Sequence, residues 1–231
     1  MAGTSGNIAS ILHLPNGGRI SIRHCGYSNV SPVRQGDADG LIIEGSWGFN
    51  DLGGYYCNEI ADLLGVDKNL IRKLCDDNTY RNEQVTLIAL PSAVPESKLK
   101  AVAFVPTELG RAYTILAEPF FGQPYRDFYY NVIYEALELL TGFGCTAIAI
   151  AGLRGAPAGH KDINNCVAEA VAHFAIEHPS LRCVFTMGSG PDLSNGVSFF
   201  NDHPESIGRH REVRRRMLVE NRITKLTIDL R

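Results

Sequence analysis

The stretch of sequence that decides the fold runs from residue 128 to residue 187 and reads FYYNVIYEALELLTGFGCTAIAIAGLRGAPAGHKDINNCVAEAVAHFAIEHPSLRCVFTM. Apolar residues recur there at helical spacing, which predicts helices over 125–141 and 162–177. Two short, almost continuously apolar runs, 145–151 and 182–187, predict strands that are buried on both faces. Alternating helices and strands with short connections are typical of a parallel sheet covered by helices.

The rest of the chain adds further strand-like runs, enriched in β-branched residues and bounded by Pro or Gly. They cover 8–14, 18–25, 40–44, 84–90, 100–106, 111–117 and 223–230. The first two lie close enough across PNGG to pair as a hairpin. We therefore predict an α/β fold: a three-layer mixed sheet, antiparallel at one edge, with helices on both faces.

Additional helices are predicted where capping and apolar spacing agree. One begins near Gly54, a short one follows at DKNLIRKLC (67–75), and a weaker one covers 204–220. Gly142 is predicted to stop the helix over 125–141. The final helix and strand form a C-terminal extension, 204–231, on a core of about 8–203, and we expect a single domain over 1–231.

Composition excludes several classes of function. The 231 residues carry a formal net charge of -3, which gives no overall attraction to nucleic acid or to an anionic membrane. No apolar run approaches the ~20 residues that span a bilayer, and the N-terminus lacks the pattern of a signal peptide. We expect a cytoplasmic protein with no membrane partner. The sequence does not give its oligomeric state.

The six cysteines include no C-x-x-C pair. This spacing favours reduced, structural thiols over a disulfide framework, and we expect no metal site. Cys145 and Cys166 fall at buried positions of the pattern and are predicted to pack as small hydrophobic residues.

Two charged patterns are predicted to be solvent-exposed. His173 lies on one helical stripe with Glu169 and Glu177, away from the apolar side. The run RHREVRRR, Arg209 to Arg216, holds five Arg and one Glu. Such a run binds nucleic acid in some proteins, but the acidic overall balance favours a solvated helix face. We do not expect a nucleic-acid partner.

Three glycine-rich connections follow predicted parallel strands. They are GSWGFNDLGG (45–54), AGLRGAPAGHKD (151–162) and GSGPDLSNG (188–196). Carboxyl ends of parallel strands share one edge of the sheet, where ligands of α/β proteins bind. Glycine exposes backbone N–H groups, and a following helix N-terminus adds positive potential. Each connection alone is explained as a turn, whereas three at one edge favour a phosphate-bearing ligand.

Standard motifs are missing from these connections. The second lacks the adjacent Gly-Lys-Ser/Thr of a P-loop, and no G-x-G-x-x-G follows a strand. There is no G-x-S-x-G nucleophile elbow. The sequence therefore supports neither an ordinary NTPase, nor a dinucleotide dehydrogenase, nor an α/β-hydrolase.

The order of these parts resembles a macro domain, the ADP-ribose-binding module. GLIIEGSWGFNDLGGYYCNEI (40–60) is similar to the family's first strand, its Gly-Gly loop and the helix that follows. The stretch 128–187 is similar to its later helix, strand, diphosphate loop, helix and strand. The resemblance implies a macro-domain-like fold that binds ADP-ribose or a related nucleotide diphosphate, with or without weak hydrolysis. We expect no cofactor.

The sequence departs from the family pattern in both loops. The asparagines of the family's first turn would fall at Glu44 and Trp47, which argues against ADP-ribosyl hydrolysis. The second loop carries Arg154 in place of the usual Ser/Thr-Gly turn. An arginine there can still pair in a bidentate manner with a diphosphate.

The resemblance also implies a set of ligand-binding residues. A diphosphate would lie against Gly53, Gly54 and the backbone around Leu153, Arg154, Gly155 and Gly159. Phe199 or Phe200 would stack on an adenine, although both also suit a core position. Trp47 is either a stacking platform or a buried anchor of its loop.

Two residues are candidates for catalysis. Asp51 is suited to position a ribose hydroxyl or a water, and equally to cap the next helix. His160 is a candidate acid or base, or a solvated loop residue before Asp162, the predicted helix cap. If the protein is an enzyme, we expect water to attack a ribose or phosphoryl centre, with loop N–H groups stabilising the developing charge.

Two other classes of function stay open. One is an interaction domain whose cleft is closed by Trp47 and Glu44, because a carboxylate near the site would repel a phosphate. The other is a phosphate-processing hydrolase of unrelated α/β topology.

Overall fold

A computed structural model describes ten stretches of the chain, in which secondary structure and backbone pairing are defined. They are 8–13, 19–24, 30–44, 54–75, 84–89, 94–105, 123–151, 161–181, 183–188 and 224–229. The predicted strand over 111–117 and the predicted helix over 204–220 lie outside them. Within these ranges, no helix is both long enough and apolar enough to cross a membrane.

The described elements alternate between strands and helices. The strands are β1 (Ile8–His13), β2 (Arg19–His24), β3 (Gly40–Glu44), β4 (Gln84–Ala89), β5 (Ala101–Val105), β6 (Ala147–Ala151), β7 (Cys183–Gly188) and β8 (Thr224–Asp229). The helices are α1 (Ser31–Arg34), α2 (Gly54–Leu64), α3 (Lys68–Leu74), α4 (Gln123–Gly142) and α5 (Lys161–Glu177). The short α1, which begins with Ser-Pro, was not predicted.

The strands form one mixed sheet in the order β1-β2-β7-β6-β3-β5-β4-β8. The five central strands, from β2 to β5, are all parallel to their neighbours. Antiparallel pairs lie on both sides of this centre, β1 with β2 and β4 with β5. The expectation of one antiparallel edge was therefore incomplete, because residues 90–100 between β4 and β5 are too few for a crossover helix.

Successive residues of a strand point to opposite faces of the sheet, so each strand contributes side chains to two hydrophobic clusters, one on each face. On one face, Ile42 and Ile150 pack in the cluster that contains α4 and α5. On the other face, Leu41 and Ile43 pack in the cluster that contains α2 and α3. The prediction of three layers, with helices on both faces, is confirmed.

Glycines end two of the helices in left-handed conformation. Gly65 (φ 69°) follows α2 and Gly144 (φ 92°) follows α4. Beyond α4, the Cys145 N–H donates to Leu140 O and the Gly144 N–H donates to Thr141 O, both at 2.9 Å. This is a Schellman motif, so the glycine that stops the helix is Gly144 and not the predicted Gly142, which is the last helical residue.

A buried carboxylate joins the amino ends of three strands. Asp39, which is 7% exposed, accepts hydrogen bonds at 2.8 Å from the N–H groups of Thr146 and Ala147. The Lys100 ammonium lies 2.9 Å from the same carboxylate. We call these four residues the amino-edge clasp, because they precede or begin β3, β5 and β6. Sequence analysis did not identify it.

The pKa of Asp39 reflects these contacts. Burial raises it, but hydrogen bonds from Ala147, Lys100 and Thr146 together hold it below its ordinary value of 3.8. The neighbouring Cys145 is buried, and burial together with the Asp39 charge raises the pKa of its thiol to about 12. The prediction that Cys145 packs as a hydrophobic residue is confirmed, whereas the side chain of Cys166 lies outside the description.

The predicted solvent exposure of His173 is wrong. His173 is 2% exposed, and its Nδ1 is hydrogen-bonded to the hydroxyl of Tyr130 on α4. Its Nε2 lies 3.3 Å from Glu177 Oε1, while the Tyr134 hydroxyl donates to Glu177 Oε2 at 2.6 Å. This stripe of α5 packs against α4. Tyrosine hydroxyls of α4 supply the hydrogen-bond partners that the sequence pattern of α5 alone would assign to water.

Candidate ligand site at the carboxyl edge of the sheet

The five parallel strands end at one level and form a continuous rim. Glu44 lies opposite Val105, and Gly188 lies opposite His24. Between these pairs, Ala151 is opposite Met187, so β6 and β7 also end within a residue of each other. The sheet therefore presents the carboxyl ends of β2, β7, β6, β3 and β5 side by side.

The three glycine-rich connections leave from three adjacent strands of this rim. Residues 45–53 follow β3, residues 152–160 follow β6, and the connection that begins at 189 follows β7. These strands are consecutive in the sheet, in the order β7-β6-β3. Because neighbouring strands are ~4.8 Å apart, the three connections start within about 10 Å of one another.

Two of these connections turn to opposite faces of the sheet. The one after β3 leads into α2, which packs in the cluster with Leu41 and Ile43. The one after β6 leads into α5, which packs in the cluster with Ile42 and Ile150. Adjacent parallel strands whose connections diverge in this way leave a crevice at the sheet edge, the usual ligand position in open α/β sheets.

The helices on either side of the crevice begin at the same edge. Gly54 is the first residue of α2 and Lys161 is the first residue of α5. The N–H groups of a first helical turn lack intrahelical partners and carry positive potential, so two helix N-termini favour an anion between them. Because α5 begins at Lys161, Asp162 lies in its first turn and not at the predicted cap position.

Only the start of one predicted binding segment falls within the described residues, at Gly54. The remaining predicted site residues lie outside them: Trp47, Asp51, Gly53, Leu153, Arg154, Gly155, Gly159, His160 and Phe199. Their roles stay predictions. The structure places the strand and helix ends that anchor their connections, and it brings those anchors to one edge.

Sequence analysis missed two other contributors to the rim. β2 and β5 end there too, at His24 and Val105, so the connections after them start beside the candidate site. Neither is adjacent in sequence to the glycine-rich connections. The strand order that places them there depends on pairing between distant segments, for which the sequence carries no local signal.

An acidic residue also stands at the rim. Glu44 is the last residue of β3, immediately before the first glycine-rich connection. Among the described residues, no group of three His, Cys, Asp or Glu side chains is placed to hold a metal ion. The chemistry that the described geometry offers is anion binding by main-chain N–H groups.

Comparison with known proteins gives the fold. No protein-family model matches the sequence, and no curated protein matches it either. The macrodomain of Oceanobacillus iheyensis with MES bound superposes with a TM-score of 0.55 at 9% identity, covering 84% of this chain and 97% of that one. The chain has the macrodomain fold. The resemblance found in the sequence is thereby confirmed for the architecture.

Further solved macrodomains agree with this assignment. The O. iheyensis macrodomain with ADP gives a TM-score of 0.53 at 11% identity, covering 84% of this chain and 96% of that one. A variant of it with ADPR gives 0.56 at 7% identity, over 84% and 98%. The macro domain of ganglioside induced differentiation associated protein 2 gives 0.55 at 12% identity, over 81% and 83%. The TM-scores of 0.53 to 0.56 over most of each chain establish the macrodomain fold, whereas identities of 7 to 12% carry no information about the ligand.

Proposed function

We propose that the protein binds ADP-ribose or a related nucleotide diphosphate at the carboxyl edge of the sheet. The observation that carries this proposal is the exit of three glycine-rich connections from the adjacent strands β7, β6 and β3, beside the N-termini of α2 and α5. Solved macrodomains of the same fold contain ADP or ADPR.

The diphosphate is assigned to the crevice between β3 and β6. Gly53 and Gly54 approach it from the α2 side, and the backbone of 153–159 approaches it from the α5 side. Glycine permits this close approach because it has no Cβ. Arg154 supplies the fixed positive charge, since its guanidinium matches two phosphate oxygens at once.

The nucleoside is expected to contact the aromatic residues of the first and third glycine-rich connections. Trp47 and Phe199 are the candidates for stacking on the adenine, which gains free energy from the large flat area that it buries. Asp51 and His160 are the candidates for contacting the distal ribose. Binding, and not turnover, is the core of the proposal, because Glu44 and Trp47 replace the asparagines expected of hydrolytic macro domains.

Isothermal titration with ADP-ribose, ADP and AMP tests the proposal. We expect a dissociation constant in the micromolar range for ADP-ribose, about -8 kcal/mol, and weaker binding as the distal ribose and then a phosphate are removed. Gly54→Val should weaken binding ~100-fold or more, since a branched side chain at the start of α2 blocks the approach of the diphosphate.

Gly142→Val is the matched control. Gly142 is also a terminal helix residue, but it lies at the far end of α4 and its added Cβ would contact nothing within 4 Å. Circular dichroism establishes that both variants are folded. The proposal is refuted if folded wild-type protein gives no binding heat with ADP-ribose, ADP or AMP at millimolar concentration and these nucleotides show no competition for a common site.

An interaction domain without a nucleotide ligand is the second candidate function. The observation that favours it is the position of Glu44 at the rim, next to the first glycine-rich connection. A carboxylate near a diphosphate costs binding energy unless it is directed away. Silence in the titrations for both the wild type and Glu44→Gln supports this alternative.

A further inference from the structure

Helices α4 and α5 are joined by two polar contacts between largely buried side chains, one helical turn apart. The Tyr130 hydroxyl is hydrogen-bonded to His173 Nδ1, and the Tyr134 hydroxyl donates to Glu177 Oε2 at 2.6 Å. In both pairs the two residues are 43 positions apart in sequence. Because the separations are equal, the two helices run in the same direction and are aligned in a single register. We call these four residues the tyrosine lock.

The tyrosine lock is one network, because His173 and Glu177 also face each other. His173 Nε2 lies 3.3 Å from Glu177 Oε1, and a carboxylate only accepts hydrogen bonds, so this ring nitrogen carries a proton. The Tyr130 hydroxyl can donate or accept, so it pairs with Nδ1 whether or not the ring is charged. The Tyr134 ring meets Phe174 edge to face, with ring centroids 5.0 Å apart. Packing therefore holds this hydroxyl toward α5.

Hydrogen bonds fix a position along the helix axis that apolar packing defines only loosely. The attraction between apolar surfaces has no direction, whereas a hydrogen bond weakens steeply when its length or angle changes. Three buried residues of α5 are alanines, Ala170, Ala172 and Ala175, whose small side chains interdigitate little with a neighbouring helix. Two directional contacts one turn apart therefore determine how far α5 is advanced along α4.

The axial position of α5 matters because its first turn adjoins the candidate ligand crevice. The helix begins at Lys161, and the N–H groups of a first turn lack intrahelical partners and attract anions. From Lys161 to His173 the distance along a straight helix is about 18 Å. A rigid helix transmits a displacement from one end to the other. A slide of about 1 Å at the tyrosine lock would therefore move the first-turn N–H groups out of hydrogen-bonding distance of a fixed anion.

We propose that Tyr130 and Tyr134 are positioning residues for the ligand site. Through His173 and Glu177 they hold the first turn of α5 at the distance that binding of a diphosphate requires. This role rests on the proposed function, because it concerns the same crevice. The two hydroxyls lie between the helices and act on the ligand only through the backbone of α5. The first turn of α2, on the opposite face of the sheet, does not depend on them.

Nuclear magnetic resonance of the ligand-free protein tests the position of α5. The double variant Y130F/Y134F removes both hydroxyls and keeps both rings, so the core stays filled. We expect its amide chemical shifts to change at residues 161–164, the first turn of α5, and to stay at the wild-type values at residues 54–57, the first turn of α2. Residue 164 is about 14 Å from His173 along the helix, so a change there reports movement of α5 and not the missing hydroxyl itself. Unchanged shifts at 161–164 in the folded variant, or equal changes in both turns, would overturn the proposal.

Isothermal titration with ADP gives a second, independent measurement. Y130F/Y134F should bind ADP about tenfold more weakly than the wild type, because misplaced N–H groups cost about as much as one lost hydrogen bond to a charged group. Val171→Ala is the matched control. It removes buried apolar contacts of α5 and leaves the tyrosine lock intact, so it should lower the melting temperature at least as far as Y130F/Y134F does. Its affinity for ADP should stay within twofold of the wild type.

The titrations separate this proposal from the proposed function. If the wild type binds ADP and folded Y130F/Y134F binds it within twofold, the tyrosine lock does not position the site and the proposal is wrong. It is also wrong if Val171→Ala weakens binding as much as Y130F/Y134F does, because general destabilisation then accounts for the loss. Folded wild-type protein that binds no nucleotide refutes the proposed function instead, and the amide shifts of 161–164 then decide by themselves whether the lock sets the position of α5.

Discussion

At the amino edge of the sheet, the ends of β3, β5 and β6 are joined by side chains, whereas at the carboxyl edge β3 and β6 run into long glycine-rich connections. Asp39 accepts hydrogen bonds from two strand N–H groups, and Lys100 from the third strand neutralises it. At the opposite end the same strands stop at Glu44, Val105 and Ala151.

This contrast separates residues that stabilise the fold from the proposed binding site within one set of strands. The amino-edge clasp satisfies polar groups internally and leaves no role for a ligand. The carboxyl edge concentrates residues that permit close backbone approach, beside two helix N-termini. Changes at the amino edge should therefore alter folding without altering ligand affinity, and changes at the carboxyl edge should do the reverse.

The largest effect is expected from Asp39→Ala. This change removes a buried acceptor from the N–H groups of Thr146 and Ala147, and Lys100 loses the carboxylate that neutralises it. We expect a loss of about 3 kcal/mol in the free energy of unfolding, measured by urea denaturation. The affinity of the folded variant for ADP-ribose should stay within twofold of the wild type. A large loss of affinity at unchanged stability would contradict the division between the two edges.

The pH dependence of stability sharpens the same test. The folded-state pKa of Asp39 lies below 3.8, so its carboxylate stabilises the fold fully above that value. The stabilisation is lost as the pH falls through the folded-state pKa. The difference in unfolding free energy between the wild type and Asp39→Asn should be large at pH 7 and shrink as the pH falls below 3.8 toward the lower folded-state pKa. An equal difference at both pH values would show that the carboxylate charge does not matter.

A smaller loss is expected from Gly40→Ala, at the first residue of β3. An added Cβ would lie 3.0 Å from Cys145 Sγ and 3.1 Å from Cys145 Cβ, which is tighter than nearly all such contacts in proteins. We expect a destabilisation of about 2 kcal/mol from overpacking, measured by thermal and urea unfolding. Combining it with Cys145→Ala should restore part of the loss, and failure of this rescue would contradict the assignment of the clash.

The smallest effect is expected at the rim. Glu44→Gln removes a negative charge beside the proposed diphosphate, so ADP-ribose affinity should rise a few-fold, about 1 kcal/mol or less. The effect should weaken at high salt, because dissolved ions screen the repulsion between the two negative charges. If Glu44 acts only on the ligand, the free energy of unfolding should change by less than about 0.5 kcal/mol. A drop in affinity would indicate that the Glu44 carboxylate contacts the ligand directly as an acceptor.

Much of the architecture could be predicted from local pattern. The apolar run GLIIE is strand β3 without an error in either boundary, and the helix predicted from Gly54 begins there. Such segments are predictable because each carries its own periodicity and its own stop signal. The macro-domain resemblance added the assignment to a known fold, which the comparison of structures confirms.

The features that escaped prediction depend on partners far away in sequence. Asp39 is one acidic residue before a strand, and its partners Thr146 and Ala147 lie 107 and 108 residues later. His173 was assigned to solvent because its own helix shows a polar stripe there, while the tyrosine that buries it lies on α4. Site residues such as Arg154 and His160 could be proposed from loop composition alone, but their contacts follow from tertiary packing that composition does not encode.

The divergence of α2 and α5 from adjacent strands has a mechanical consequence. A nucleotide held by both connections, as proposed, would bridge the two hydrophobic clusters, which lie on opposite faces of the sheet. Its binding free energy is then added to the cohesion of both halves, by RT ln(1 + [L]/Kd) at ligand concentration [L]. Ligand binding would therefore slow amide hydrogen exchange at the same time in the helices on both faces of the sheet.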